Sequence, residues 1–286
     1  MTADGINGDT QAPALKIFIG GDRSQVGKST VCLGILGSLL ELGYSPSDLA
    51  YIKPVTQCEQ PQLISKWCAA KGVACRGIGP VVFYAGFTRA FLKGEAGTSE
   101  QLLADAKAAV DEISKGKKFV VVDGVGYPAV GSICGISNAH TAAALHTPVL
   151  LVGRSGVGDA VDSFNLNATF FKSHGVEVLG GVFNRLASGG FYSLANCQEA
   201  VTNYFARVGR QMPYGFVPDA QPMLKGKLEV AAAHTDEALS AAVAVRGGGL
   251  VLVVFAQPEC PVPEACKVRA GAVCLWLCLC TYIHTG

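Results

Sequence analysis

The sequence predicts an α/β fold: a mostly parallel, doubly wound sheet in three layers, with helices on both faces. Short apolar runs alternate with helical segments of ten or more residues, which is typical of a parallel sheet built from strand-helix-strand units. The runs are almost continuously apolar, as expected for strands that are buried on both faces. One long connection, residues 73–98, interrupts this alternation, and we expect an insertion over the sheet edge or the site mouth.

The first half of the chain opens with KIFIGG (residues 16–21), a short apolar run that predicts a buried strand. Residues 28–43 carry leucines at helical spacing and end at a glycine, so they predict a helix. LAYIKPV (49–55) predicts a second strand, and LISKWCAAKG (63–72) predicts a short helix that its last glycine stops.

The second half continues the pattern. Residues 99–116 predict an amphipathic helix that Ser99 caps and Gly116 ends. Apolar runs predict four further strands: 119–124, 148–153, 176–184 and 214–218. Helical patterns lie between them at residues 138–147, 159–174 and 193–208.

Composition limits the classes of function. Half of the 286 residues are hydrophobic, so a large core can form. The net charge is only +1, so the chain lacks the excess of basic residues that would indicate nucleic-acid binding. No apolar run reaches the roughly 18 residues that span a bilayer, so we expect no membrane association and a cytoplasmic location. We expect a disordered leader at residues 1–14, one domain at 15–245, and a cysteine-rich tail of unknown role at 246–286.

GGDRSQVGKS lies between the first strand and the first helix and predicts a phosphate-binding loop. In such loops backbone N–H groups and the helix N-terminus surround phosphates, a lysine adds charge, and a hydroxyl binds Mg²⁺. The loop is one residue longer than the usual spacing, and the alternative is a strand-helix turn that merely contains Gly-Lys-Ser. The predicted nucleotide-binding residues here are Gly21, Ser24, Gln25, Val26, Gly27, Lys28, Ser29 and Thr30.

Two charged residues end predicted strands, at the sheet edge where open parallel sheets bind ligands. Lys53 can stabilise phosphate charge or hold a carboxylate substrate, although a surface lysine would fit the same pattern. Asp123 can hold Mg²⁺ together with Ser29, although a turn-forming aspartate is the alternative. Because both residues end strands, we expect neither to contribute much to folding.

The loop and the segments that follow it resemble dethiobiotin synthetase and its relatives, including the cobyrinic acid diamide synthase group. That family has a P-loop NTPase fold, and its loop reads G-T-D-T-E-V-G-K-T. The further matching segments, in the family's order, are YIKPV (51–55), FVVVDGVG (119–126), PVLLVGRSGVGDA (148–160), VEVLGGVFN (176–184) and PYGFVP (213–218). The resemblance extends from Lys16 to about residue 220.

The resemblance implies an ATP- and Mg²⁺-dependent ligase that phosphorylates a carboxylate or carbamate, with Lys28 and Lys53 as catalytic residues. It implies that Asn184 reads the adenine edge and that Phe216, Val217 and Pro218 line the base. It also implies a small amine or carboxylate substrate, a homodimer and a role in biotin biosynthesis. The alternative is an ATP-binding regulatory or sensor module without ligase activity.

Several residues depart from the family pattern. Asp123 replaces a glutamate, and Tyr127 replaces a glycine. The family's acids within the loop are replaced by Arg23 and Gln25, which changes the sign of charge near the site. The family also has an Mg²⁺-binding aspartate at the start of the helix after Lys-Pro-Val, where this chain has none, and Glu59 is the nearest acid.

Overall fold

The computed structural model describes residues 13–208 and 211–219, and within these ranges the chain forms a seven-stranded sheet with a separate two-stranded sheet. The strands are β1 (Leu15–Gly21), β2 (Leu49–Ile52), β3 (Val55–Thr56), β4 (Ala74–Arg76), β5 (Val81–Val82), β6 (Phe119–Asp123), β7 (Val149–Gly153), β8 (Val178–Leu186) and β9 (Met212–Pro218). The helices are α1 (Lys28–Glu41), α2 (Leu63–Lys71), α3 (Phe87–Leu92), α4 (Ser99–Ser114), α5 (Asn138–Ala144), α6 (Gly158–Ser173) and α7 (Leu194–Val208).

The large sheet has the strand order β4-β2-β6-β1-β7-β8-β9, and every pairing in it is parallel. Strands β1 and β7 are neighbours, but the chain leaves β1 toward β2 and leaves β7 toward β8, in opposite directions. This reversal opens a crevice at the carboxyl ends of the strands, which is where doubly wound sheets bind ligands. The predicted parallel, doubly wound α/β fold is therefore confirmed.

Alternate residues of each strand enter two separate cores, as the two-residue period of a strand requires. One core packs the sheet against α4, α5, α6 and α7, and the other packs it against α1 and α2. Tyr51 and Val121 lie on the face that α1 covers. By the same alternation Lys53, which follows β2, and Asp123, the last residue of β6, lie on that face, next to the loop that begins α1.

The structure differs from the predicted elements at several boundaries; for example, Thr98 and not Ser99 caps α4, because the Thr98 side chain accepts the N–H of Gln101. Two further differences lie close to the site. The predicted strand 49–55 stops at Ile52, because Pro54 has no N–H to continue the ladder, and the chain then forms β3. The connection 73–98 contains an edge strand, a two-residue strand and a short helix, whose core includes Val81, Phe87 and Val125. These elements close over the carboxyl end of the sheet beside Val125.

Most of the predicted leader at 1–14 and all of the tail at 246–286 lie outside the described residues, as does the end of the predicted domain after residue 219. None of the helices that the structure describes is both long enough and apolar enough to cross a bilayer.

A pair of histidines joins α5 to α6. The rings of His140 and His174 have centroids 4.6 Å apart, and Nδ1 of His140 lies 2.7 Å from Oγ of Ser137. Burial, and secondarily the nearby His174, lower the pKa of His140.

Because that pKa is lower in the folded protein, protonation of His140 opposes folding. Its contribution is complete above the usual histidine pKa of about 6.5 and is lost as the pH falls through the lower folded value. We expect the melting temperature of the wild type to fall more between neutral and mildly acidic pH than that of His140→Gln. His146→Asn, which changes an exposed histidine, should follow the wild type, and parallel curves for all three proteins would contradict the assignment.

Candidate functional site

The loop between β1 and α1 turns sharply at glycines. A Cβ atom on Gly21 would lie 2.9 Å from Val26 and 3.1 Å from the carbonyl oxygen of Gly126, so only glycine fits there. Gly27 has φ of 97° and immediately precedes the first residue of α1, while Gln25 has φ of 60°. The loop therefore approaches the helix N-terminus in a conformation that favours glycine at its last position.

Lys28 and Ser29 begin α1 and reach toward the end of β6. Nζ of Lys28 donates a hydrogen bond of 2.7 Å to the carbonyl oxygen of Gly126, and Oγ of Ser29 donates one of 2.8 Å to Oδ2 of Asp123. Burial lowers the pKa of Lys28, while the charge of Asp123 acts in the opposite direction. Within the described residues this buried ammonium group donates one hydrogen bond, to a carbonyl oxygen, so it is available to an incoming anion.

Asp123 is the centre of a buried polar cluster. Besides Ser29, its Oδ2 accepts a hydrogen bond of 2.8 Å from the hydroxyl of Tyr51 and one of 3.4 Å from Nζ of Lys53. The pairing of β2 with β6 aligns Ile52 with Val122, so the next residues, Lys53 and Asp123, lie side by side. The two strand ends therefore bring Lys53 and Asp123 into contact at this edge of the sheet.

The expectation that Lys53 and Asp123 contribute little to folding assumed that strand ends lie outside the buried interior, and the structure contradicts that assumption. Lys53 is 6% exposed and Asp123 is 0% exposed. Buried charges of opposite sign stabilise each other, and removal of one leaves the other uncompensated. Changes at either residue therefore require a stability control.

The segment after Lys-Pro-Val places a neutral amide beside Lys53. Oε1 of Gln62 lies 3.2 Å from Nζ of Lys53, and Nε2 of Gln62 donates a 3.1 Å hydrogen bond to Sγ of Cys58. Glu59, the nearest acid in sequence, is exposed. In the structure Gln62 thus occupies the start of the helix where the resembled family carries an acid.

The donor set fits Mg²⁺. Oδ1 of Asp123 is buried and has no hydrogen-bond partner in the part of the chain that the structure describes, which is costly unless a ligand satisfies it. Oγ of Ser29 donates a hydrogen bond to the other oxygen of the same carboxylate. Mg²⁺ prefers hard oxygen ligands, such as a carboxylate and a hydroxyl. Ser29 and Asp123 are the residues that would hold the ion.

The charge reversal expected from Arg23 is partly compensated. Nε of Arg23 lies 3.4 Å from Oδ1 of Asp22, which is buried. Oδ2 of Asp22 also accepts a 2.9 Å hydrogen bond from Ser163 and a 3.3 Å bond from the backbone N–H of Arg154. The start of the loop is therefore tied to α6 and to the end of β7.

The residues predicted to contact the base are placed differently from the expectation. Asn184 is 4% exposed, and its Nδ2 donates a 2.9 Å hydrogen bond to the carbonyl oxygen of Val26, within the loop. Phe216 stacks on Phe183 in one core and Val217 lies in the other, so both side chains are packed within the protein. Successive strand residues face opposite cores, and of this strand end only Pro218 is partly open.

The remaining predicted loop residues are of two kinds: some are exposed to an approaching ligand, and one is buried beneath the loop. Ser24, Gln25 and Thr30 are exposed, whereas Val26 is buried in the core beneath the loop. Ser24 and Gln25 thus offer their backbone and side chains at the surface of the loop. Val26 instead anchors it.

Sequence reasoning missed two residues of the site. The hydroxyl of Tyr51 contacts Asp123, and burial, with Asp123 as the second cause, raises its pKa. Asn138 braces the turn after β6: its Oδ1 accepts a 2.9 Å hydrogen bond from the N–H of Val125, and its Nδ2 donates to the carbonyl oxygens of Val125 and Tyr127. The available signal for Tyr51 was a hydroxyl group within the apolar run LAYI, whereas no pattern in the sequence marked Asn138.

Comparisons with known proteins agree with this geometry. A family model described as an AAA domain matches residues 16–210. The ATP-dependent dethiobiotin synthetase BioD of Aquifex aeolicus (strain VF5) is 30% identical over 177 residues, which are 59% of this chain and 76% of that protein.

Among solved structures, the chain is similar to the signal recognition particle receptor FtsY from Elizabethkingia anophelis in complex with GDP. The TM-score is 0.45 at 13% identity, over 75% of this chain and 60% of that one, so the chain spans less than two thirds of FtsY. A ParA family ATPase from Chlorobium tepidum TLS is similar with a TM-score of 0.43 at 11% identity, over 82% of this chain and 93% of that one. The family match covers more than half of the chain and the relative is covered over three quarters of its length, so the chain belongs to the dethiobiotin synthetase-like P-loop ATPases of the AAA domain family.

Proposed function

We propose that this protein binds Mg-ATP and transfers the γ-phosphoryl group to a carboxylate or carbamate of a small acceptor, as a ligase of the dethiobiotin synthetase type. One observation carries the proposal: Lys28, Ser29, Lys53 and Asp123 converge beside a glycine loop at the carboxyl edge of a parallel sheet. The similarity to an ATP-dependent dethiobiotin synthetase supports the choice of ATP and of ligase chemistry.

Each residue of the cluster has a separate task in this proposal. The backbone of the loop and the N-terminus of α1 hold the phosphates, and Lys28 adds a positive charge at the same place. Lys53 lies next to Asp123 and neutralises charge between the phosphoryl group and the acceptor. Ser29 and Asp123 would hold Mg²⁺, which supplies charge neutralisation on the phosphates when it is bound.

The reaction needs positioning and charge stabilisation rather than a protein nucleophile. An oxygen of the acceptor forms a bond to the γ-phosphorus while the bond from that phosphorus to the bridging oxygen breaks, and ADP leaves. An amine of the acceptor then attacks the activated carbon and loses a proton to solvent, and inorganic phosphate leaves with the acceptor's oxygen. In this proposal Lys28 and Lys53 stabilise the negative charge that shifts during the first step.

A second candidate is an ATP-binding regulatory or sensor module without ligase activity. The observation in its favour is Gln62, a neutral amide that meets Lys53 where the resembled ligases carry an acid. In such a module the loop would couple nucleotide binding to a conformational change or to a partner.

The proposal also includes a homodimer, a cytoplasmic location and a small amine or carboxylate substrate in biotin biosynthesis. The relative's printed activity, dethiobiotin synthesis, supports the pathway. The phosphate-loop domain is proposed to occupy residues 15–245.

Acceptor-stimulated ADP release distinguishes the two candidates. We expect Mg-ATP turnover to rise when the correct diamine or dicarboxylate is added with bicarbonate, and we expect ATP to outcompete GTP because residues 184–187 (NRLA) lack the aspartate of guanine-specific loops. Diaminopelargonate, the acceptor of the resembled synthetase, should turn over more slowly here than in that family, because this chain lacks the family's acid after Lys-Pro-Val. Rapid dethiobiotin formation would contradict this expectation. Tight ATP binding, without faster ADP release in the presence of any diamine or dicarboxylate tested, would instead support the sensor module.

A further inference from the structure

The side chain of Asn184 joins the end of β8 to the phosphate-binding loop. Because a carbonyl oxygen can only accept, the contact with Val26 requires that Asn184 present its NH₂ group there. We infer that Asn184 is a positioning residue that sets the last turn of the loop, and so controls affinity for the phosphates whatever the base. This inference rests on the proposed nucleotide binding.

The strand is distorted at this residue. The pairing of β8 with β9 aligns Phe183 with Phe216 and then Leu186 with Pro218, so β8 carries one extra residue. Arg185, within this bulge, has φ of 59°, which is uncommon for a residue with a side chain. Such bulges re-aim side chains, and here the bulge begins at Asn184, the residue that reaches the loop.

The loop is constrained on its own side of the contact. Gln25 and Gly27, on either side of Val26, both have positive φ. A Cβ atom on Gly27 would overlap Nδ2 of Asn184, so the amide and the loop backbone are packed directly against each other. Of the three described residues other than glycine with positive φ, two lie next to this hydrogen bond, namely Gln25 and Arg185.

The contact affects ligand binding through the planar trans peptide that joins Val26 to Gly27. The C=O and N–H of one peptide point in opposite directions. When Asn184 holds the carbonyl of Val26, it therefore fixes the N–H of Gly27 so that it points away from Asn184. Backbone N–H groups of this loop are the donors that surround phosphates. A base-reading residue would act on the nucleobase alone, whereas this contact acts on the phosphate donors.

The test is titration of Asn184→Ala with Mg-ATP and, separately, with Mg-tripolyphosphate, which has no base. We expect both affinities to fall by a similar factor of about 10, the size expected for one lost hydrogen bond that preorganises a donor. Weaker ATP binding with unchanged tripolyphosphate binding would overturn the inference and leave Asn184 as a base reader. If the wild type binds neither ligand, the proposed nucleotide binding fails first, and the inference fails with it.

Asn165→Ala is the matched control. Nδ2 of Asn165 donates a 2.7 Å hydrogen bond to the hydroxyl of Tyr204 between α6 and α7, away from the loop. We expect this variant to bind both ligands like the wild type. An equal loss in Asn165→Ala would show that lower stability explains the effect and would contradict the positioning role.

A double-variant cycle with Gly27→Ala tests the contact without any ligand. Gly27→Ala should displace the amide of Asn184, so Asn184→Ala should lower the melting temperature less in that background than in the wild type. The matched cycle with Asn165→Ala should be additive. Additive losses for the Gly27 and Asn184 pair would contradict a direct coupling between the strand end and the loop.

Discussion

Asp123→Asn should lower acceptor-dependent ADP release by about 100-fold or more, the effect of losing one preorganised charge-stabilising group. Asparagine has nearly the same shape, so it removes the negative charge that faces Ser29, Tyr51 and Lys53 with little change in packing. The unpartnered Oδ1, which we propose holds Mg²⁺, becomes a neutral group. Steady-state ADP release at saturating ATP measures the effect.

Lys53 provides the companion test at the same carboxylate. Lys53→Met keeps the buried stem and removes the charge, and it should lower turnover by a similar factor of about 100. Lys53→Arg retains the positive charge, so it is the control for the loss of charge in Lys53→Met. Melting temperatures of all variants separate catalysis from folding, because both side chains are buried. Full activity in a folded Lys53→Met protein would remove Lys53 from the site.

Lys28→Ala should remove most of the affinity for ATP. One charge-assisted contact to phosphate contributes about 1.5–3 kcal/mol, which corresponds to about 10- to 150-fold in the dissociation constant. Lys28 is available for this contact because its Nζ meets only the carbonyl oxygen of Gly126 among the hydrogen-bond partners that the structure records. Titration calorimetry with an unhydrolysed ATP analogue measures the loss, and equal binding by wild type and variant would end this reading of the loop.

The pH dependence of ATP binding adds a second readout for Lys28. Burial lowers its pKa, so the charge that binds phosphate is lost at a lower pH than for an exposed lysine. ATP affinity of the wild type should therefore weaken on the alkaline side, while the weak binding by Lys28→Ala should lack that loss. Lys53→Met should weaken ATP binding less than Lys28→Ala, because Lys53 also serves the acceptor.

Much of the fold follows from short-range patterns in the sequence. The buried runs and the glycine-terminated helices predict the strands and helices that build the large sheet, because their periodicity is long enough to read. The strand β4 has only three residues and β3 and β5 have two each, too few to show a period. Pro54 was the available signal that the strand begun at Leu49 must stop early.

The site was predictable only where strand ends determine it. Lys53 and Asp123 both end strands, so a parallel sheet brings them to one edge, although their adjacency depends on the order β2-β6. Tyr51 was missed because its contact with Asp123 depends on which face of the sheet its side chain occupies. The extra residue at Asn184 and Arg185 has no signature in the sequence, so the partner of Asn184 was not predictable.

The fate of the acceptor's oxygen tests phosphoryl transfer to a carboxylate or carbamate most directly. An acceptor labelled with oxygen-18 in its carboxylate, or freshly labelled bicarbonate with an amine, is incubated with the protein and Mg-ATP, and the released phosphate is analysed by mass spectrometry before the label exchanges with water. Activation by phosphorylation predicts one labelled oxygen from the acceptor in each phosphate, since the bond between carbon and that oxygen breaks when the amine attacks. Phosphate that carries oxygen from water and none from the acceptor would contradict the account and identify simple ATP hydrolysis.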